Sequence, residues 1–266
     1  MTHPFTPGPI DEDLWALTQH LLKCGGLLDD LKQQPGEAPQ RLANTVRTGS
    51  ALYRTSLHTS KLLAQASLSD AATTADGQEG IAALRRLAEA ISNAAARAAD
   101  AVSALARDDT DSADELLEQS HAYLIRTPVA VHDVSSALLR HDGYLYALQR
   151  AERENLSPDA PAIRVSEAQR KGLASLARGD GIVRETASGT REVITPLSAY
   201  MRAATIDALL DRQLITLTPL NQQDRYGVRL TPSGVRTLLS ARPVPLPTTP
   251  VPAKAPGAPG PAAARR

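Results

Sequence analysis

Between residues 81 and 105 the apolar positions Ile81, Leu84, Ala88, Ile91, Ala95, Ala98, Val102 and Leu105 recur at alternating steps of three and four. That period gathers all eight side chains on one stripe of a helix, whereas a strand would scatter them over both its faces. A long helix with such a stripe needs neighbours to cover it. Three of the eight positions are alanine, so the neighbours can come close. Aromatic residues make up only 3% of the chain, which leaves Leu, Ala, Val and Ile to build the core.

The same alternation runs earlier, through Leu14, Leu17, Leu21, Cys24, Leu28 and Leu31, and crosses the Gly25–Gly26 pair. Asp11, Glu12 and Asp13 open that helix, at the end where its dipole favours negative charge. Pro35, Gly36 and Pro39 close it. A looser seam of Leu42, Val46, Tyr53, Leu57 and Leu63 predicts a second helix over 40–68, and the small, polar stretch 69–80 reads as a loop. Asp108, Asp109 and Asp111 separate the third helix from a fourth, which starts at Ser112 and bends near Pro128. The fourth carries Val131, Val134, Leu138, Leu145 and Leu148 up to residue 154. The expectation is a flexible arm at 1–10, then an antiparallel, coiled-coil-like helical bundle over 11–154.

Composition changes after that. Asn155 to Pro161 reads as a linker within 155–162. Residues 163–242 alternate short elements: a helix over 167–178, strands at 181–186 and 191–195, a helix over 197–213, strands at 214–217 and 226–230, and a helix from Pro232. Thr231 stands as the N-cap of the last helix, with Pro232 where a missing N–H is tolerated. Eight prolines fall in 243–266, a Pro/Ala-rich tail expected to be disordered. The chain is therefore mainly α, with a small α+β domain behind a helical bundle.

A net charge of zero hides an asymmetry. Residues 1–162 hold 14 basic and 22 acidic side chains, residues 163–242 hold 12 and 7, and the tail holds three basic and none acidic. The bundle is acidic and everything after it is basic, the distribution expected where the C-terminal part meets a polyanion.

Two tracts carry a family resemblance. Thr205-Ile-Asp-Ala-Leu-Leu-Asp-Arg-Gln-Leu-Ile215 looks like a helix running into a strand, and Tyr226-Gly-Val-Arg-Leu-Thr-Pro-Ser-Gly-Val-Arg-Thr-Leu238 like a strand running into a threonine-capped helix. Over about 80 residues the region resembles a winged helix-turn-helix domain of bacterial regulators. The Gly181–Thr195 strands stand where such domains usually have a helix, and Gln213 stands where they commonly have glycine. The resemblance implies binding to double-stranded DNA. The helix from Leu197 would enter the major groove, with Ser198, Arg202 and Thr205 on one face and Tyr200 at a phosphate. Arg225 and Arg229 would grip phosphates beside the wing, and Arg191 is the remaining candidate. The expected function is a transcriptional regulator whose bundle mediates dimerisation or sensing, with a homodimer or a helical protein as further partner. The alternative is a non-enzymatic interaction scaffold with a docking winged helix.

Other signals point elsewhere and are weaker. Glu118 and His121 have the Glu-x-x-His spacing of di-iron bundles, but His20, His58, His132 and His141 lack a glutamate three residues upstream. Cys24 lies on the first seam as a small apolar residue. No phosphate-binding loop, dinucleotide fingerprint, nucleophile elbow or His-Glu-x-x-His occurs. The sequence therefore predicts no enzyme, no cofactor and no metal. Apolar runs too short to span a bilayer, and an acidic rather than basic N-terminal region, predict a cytoplasmic protein without membrane attachment.

Overall fold

The computed structural model describes residues 9–33, 37–156, 163–179, 181–186, 191–194, 201–220 and 224–240. The expected arm up to residue 8, most of the linker and the tail lie outside the described residues. The chain is mainly helical, with one four-stranded antiparallel sheet towards its C-terminus.

Helix α1 (Pro9–Gln33) begins two residues before its expected start at Asp11. Proline suits a first helical turn, where its missing N–H costs nothing. Its seam is buried throughout: Leu14, Leu17, Leu21, Cys24, Leu28 and Leu31 all face the core.

Helix α2 (Ala38–Leu68) buries a different face from the expected one. Thr45, Thr48, Leu52, Thr55, Thr59, Leu62 and Ala66 point inward, while Val46, Tyr53 and Leu57 are exposed. Threonine can line a core here because each hydroxyl donates back within the helix. Thr45 bonds the Arg41 carbonyl at 2.9 Å, Thr48 that of Asn44 at 3.0 Å, Thr55 that of Ala51 at 2.9 Å and Thr59 that of Thr55 at 2.8 Å. With the hydroxyl satisfied, the methyl group packs as an apolar one.

The stretch expected as a loop is mostly ordered helix. A 3-10 turn (Asp70–Thr73) leads into helix α3 (Ala75–Leu105), which starts six residues before Ile81. Thr74 is its N-cap, accepting the Gly77 N–H at 3.0 Å. Helix α3 packs against α1's neighbour α2 on one side and against two further helices, α4 (Thr110–Leu124) and α5 (Thr127–Arg153), on others. Three neighbours explain why its buried arc, which includes Leu87, Ala94, Ala101 and Ala104, is wider than one seam. The expected bend near Pro128 is a break between α4 and α5. Proline opens α5 in its first turn instead of kinking a continuous helix.

Helix α5 serves two cores. Its Val131, Val134 and Leu138 join the bundle, while its Ala147 belongs with the C-terminal residues Leu173, Leu176, Val183, Ile206, Leu209, Leu214, Val228 and Leu238. Helix α6 (Glu167–Leu176) lies directly on α5, and Arg150 of α5 donates to the Leu230 carbonyl at 2.8 Å. The C-terminal unit thus rests on the bundle's last helix rather than standing apart.

That unit continues with β1 (Ile182–Glu185), β2 (Arg191–Ile194), helix α7 (Ala203–Asp211), β3 (Ile215–Pro219), β4 (Arg225–Leu230) and helix α8 (Pro232–Ser240). Strand order is β2-β1-β4-β3, antiparallel throughout. Thr231 caps α8 by accepting the Gly234 N–H at 3.0 Å and donates to the Gln213 carbonyl at 2.8 Å. A Cβ on Gly234 would lie 2.0 Å from the Leu214 carbonyl oxygen, so only glycine allows α8 to sit this close to the start of β3.

Gln213 turns the chain from α7 into β3 with φ of 54°, in the left-handed region. A side chain costs about 1 kcal/mol there, and glycine costs nothing. Gln213→Gly is therefore expected to raise stability by about 0.5–1 kcal/mol, measured by urea denaturation of the full chain. A loss of stability would contradict the assignment of strain to this residue.

Candidate nucleic-acid interface

Alternation along the strands sorts the sheet into two faces. Val183, Tyr226, Val228 and Leu230 turn towards the helices, with Val228 and Leu230 in the core. Arg225 and Arg229, two residues either side of Gly227, take the other face. Four residues of strand separate them, about 13 Å. Register places Arg184 of β1 directly opposite Arg225, on the same face. Thr216 is paired with Arg229, and Thr218 with Gly227, which adds two hydroxyls to the outward side.

The charges on this face do not cancel. Arg184 bonds Glu192 at 2.6 Å, the only acid that the strands place there among the described residues. Arg225 and Arg229 form no ion pair among the described residues, and Arg229 is exposed. Asp224 lies at the edge of the face, beside Arg225, and gives its carbonyl to the Glu185 N–H at 2.9 Å. Two guanidiniums with no acid partner among the described residues, a third shared with Glu192, and two threonine hydroxyls on one face of the sheet are groups that can bind phosphates.

The remaining candidates are placed differently. Arg191 points to the helical side of β2 and bonds Asp207 of α7 at 2.6 Å, so it joins a helix to the sheet. Arg202 is exposed and precedes α7 as its N-cap, with extended backbone. Of the expected helix over 197–213, the described part is Ala203–Asp211, and Thr205 lies on it. Arg202 lies outside the helical repeat. Thr205 is half-buried, and its methyl lies 3.4 Å from where a Cβ on Gly172 of α6 would be, so it packs towards α6. Ser198 and Tyr200 lie outside the described residues.

Sequence reading missed Arg184. Its exposed position within β1 follows from alternation, but its place beside Arg225 needs the pairing of two strands about forty residues apart.

The bundle's Glu-x-x-His pair is engaged by side chains of α1. Glu118 pairs with Lys32, and His121 with Asp29 at 3.2 Å, tying α4 to α1. Among the described residues no group of three or more His, Cys, Asp or Glu is placed to hold a metal ion. No described helix is long and apolar enough to cross a membrane.

Comparison with known proteins finds no matching family model, no matching curated protein and no matching solved structure.

Proposed function

We propose that residues 163–242 form a winged-helix-like domain that binds double-stranded DNA, and that the protein is a transcriptional regulator with its helical bundle in a dimerising or sensing role. The observation that carries this reading is the outward face of the sheet, where Arg225 and Arg229 have no ion-pair partner among the described residues and lie beside Arg184. In this reading β3 and β4 are the wing and lie along the phosphate backbone. Helix α7 approaches the major groove with Arg202 leading. Arg191 and Thr205 serve the fold, not the DNA, because their side chains are engaged with α7 and α6.

Phosphate contacts give binding a steep salt dependence, with a slope of about 0.9 per contact in log–log form. The test is fluorescence anisotropy of the full chain with duplex DNA at about 50 and 200 mM salt. Wild type is expected to bind, with a marked loss at the higher salt. The combined variant Arg202→Ala, Arg225→Ala, Arg229→Ala is expected to bind on the order of 100-fold more weakly and to flatten the slope by about 2–3. No binding at micromolar protein and low salt, or a triple variant that binds like wild type, overturns the proposal and favours the interaction scaffold.

A further inference from the structure

Helix α2 carries Arg41, Arg47, Arg54 and Lys61 and no acid between residues 38 and 68. Arg41 is taken by Asp114, whereas Arg47, Arg54 and Lys61 form no ion pair among the described residues. Arg47 and Arg54 share one side of the helix, two turns or about 10.5 Å apart. Cys24 Sγ of α1 stands 3.6 Å from Thr55 Oγ1, which brings the adjoining residues Lys23 and Arg54 to one level of the antiparallel pair. Between the two helices lies a cavity of about 230 Å³. Buried Cys24 and Thr55 form its floor, and the exposed Lys23, Arg47, Arg54 and His20 form its rim.

Every lining residue belongs to α1 or α2, and none is an acid. Of the acids on α1, Asp29 is held by His121 of α4, and those at 11–13 lie two turns or more from His20. Asp30, two turns beyond Lys23, forms no ion pair among the described residues, so three cations face at most one acid. Across α2, Asp100 of α3 is already paired with Arg97. Arg54 donates from Nε to the Ser50 carbonyl at 3.3 Å, which leaves its terminal nitrogens to point elsewhere. Burial raises the Cys24 thiol above its ordinary 9.0, while the Thr55 hydrogen bond and the charges of Lys23 and Arg54 pull it down, so both cations are felt at the floor. Like charges gathered without an opposite one cost stability, and a bound anion removes that cost.

We infer that this cavity is a binding site for a small phosphate-bearing anion: inorganic phosphate, pyrophosphate or a compact phosphate monoester. Guanidinium groups meet phosphate oxygens through parallel pairs of hydrogen bonds, and the Lys23 ammonium adds a point charge from the opposite helix. Three cations favour a ligand with two or more negative charges over a monocarboxylate. At about 230 Å³ the cavity is smaller than the roughly 300 Å³ at which sites for drug-sized ligands begin, so the base and ribose of a nucleotide would stay outside. None of these residues belongs to the C-terminal unit, and the inference stands apart from the DNA reading.

The test is isothermal titration calorimetry of the full chain with sodium pyrophosphate and, separately, sodium phosphate, at an ionic strength fixed near about 0.15 M with chloride. Pyrophosphate is expected to bind with a Kd below about 1 mM, and phosphate more weakly. Arg47→Ala and Arg54→Ala should each weaken pyrophosphate about tenfold, and Lys23→Ala somewhat less. Far-UV circular dichroism should not change, because all three side chains are exposed. Lys61→Ala, on the same helix outside the cavity, and the double variant Arg225→Ala, Arg229→Ala should bind pyrophosphate as wild type does. A Kd above about 1 mM for pyrophosphate overturns the proposal. So does binding indifferent to Arg47→Ala and Arg54→Ala, or weakened as much by Lys61→Ala or the sheet variant, which marks diffuse attraction to basic surface. Arg47→Ala and Arg54→Ala variants that lose duplex DNA while wild type ignores pyrophosphate would make this stripe a nucleic-acid contact instead.

Discussion

Asp76→Ala is expected to cost the full chain about 3–5 kcal/mol, a fall in Tm on the order of 10 °C. Asp76 sits in the first turn of α3 with its side chain 5% exposed, and it holds two arginines at once. Arg140 of α5 donates to Oδ1 at 2.7 Å. Arg170 of α6 donates to Oδ2 at 2.7 Å and to Oδ1 at 3.1 Å. Both guanidiniums are buried, and this one carboxylate joins the start of α3, the middle of α5 and the C-terminal unit. Removing it leaves two buried cations facing each other. Glu79 and Glu167 remain on their outer sides and compensate only in part. The physical claim is about loss of compensation, so it has a second arm. Combining Asp76→Ala with Arg140→Met and Arg170→Met should recover much of the loss, since an apolar cluster carries no buried charge. A triple variant no more stable than Asp76→Ala would refute the electrostatic account.

The same junction sets an acid limit. Burial alone would raise the Asp76 carboxyl, but hydrogen bonds and charge from Arg170 and Arg140 outweigh it and hold the group below its ordinary 3.8. A carboxyl depressed in the folded state contributes stability above its unfolded value and loses it as pH falls through the folded one. His141, next to Arg140, is pushed below its ordinary 6.5 by burial, with Asp142, Asp70 and Asp76 pulling the other way. Its Nδ1 lies 2.9 Å from the Thr74 hydroxyl, which suits a neutral ring. The unfolded chain takes up that proton first, so stability falls as pH drops below 6.5 towards the folded value. Thermal melts against pH should therefore show two stages of loss on acidification. His141→Gln should remove the earlier one, and Asp76→Ala should shrink the later one, to which Glu167 also contributes because Arg170 holds its carboxyl below the ordinary value. A single stage unaffected by His141→Gln would exclude the role given to this histidine.

Gly143→Ala is expected to cost about 2–3 kcal/mol and to loosen the C-terminal unit from α5. A Cβ there would lie 1.8 Å from the Ala174 carbonyl oxygen and 3.4 Å from the Ala177 Cβ. The obstacle is backbone, so no side chain can swing aside and the two helices must separate. Alanine's better helix propensity, about 1 kcal/mol, acts in the opposite direction and is too small to offset the separation. Gly26 of α1 supplies the control, because a Cβ there meets nothing within 4 Å. Gly26→Ala should stabilise by up to about 1 kcal/mol. Urea denaturation compares the two directly. Equal shifts in both variants would show that propensity, not contact, decides at Gly143.

Much of the secondary structure was legible from spacing alone. The seams of α1 and α3 follow from a three-four apolar period, and the last strand and helix follow from the Leu230-Thr-Pro-Ser-Gly234 tract. Each depends on residues within a turn or two of one another. The misread face of α2 was also legible, since Thr45, Thr48, Leu52, Thr55, Thr59, Leu62 and Ala66 keep the three-four alternation without a break. Counting threonine as polar hid it, because its hydroxyl is satisfied by the helix's own carbonyls and drops out of the burial cost.

By itself, then, the sequence determined most of the helices and strands, the threonine cap of the last helix, and that an acidic bundle precedes a basic α+β unit. Tertiary structure alone decided which neighbours those elements meet. It set α6 on Gly143, joined Asp76 to Arg170 across 94 residues of chain, and brought Arg184 beside Arg225. Local periods arise from backbone geometry repeated over a few residues, and any window of the chain contains them. Contacts between distant segments arise from how whole faces compete for burial, and no window contains both partners.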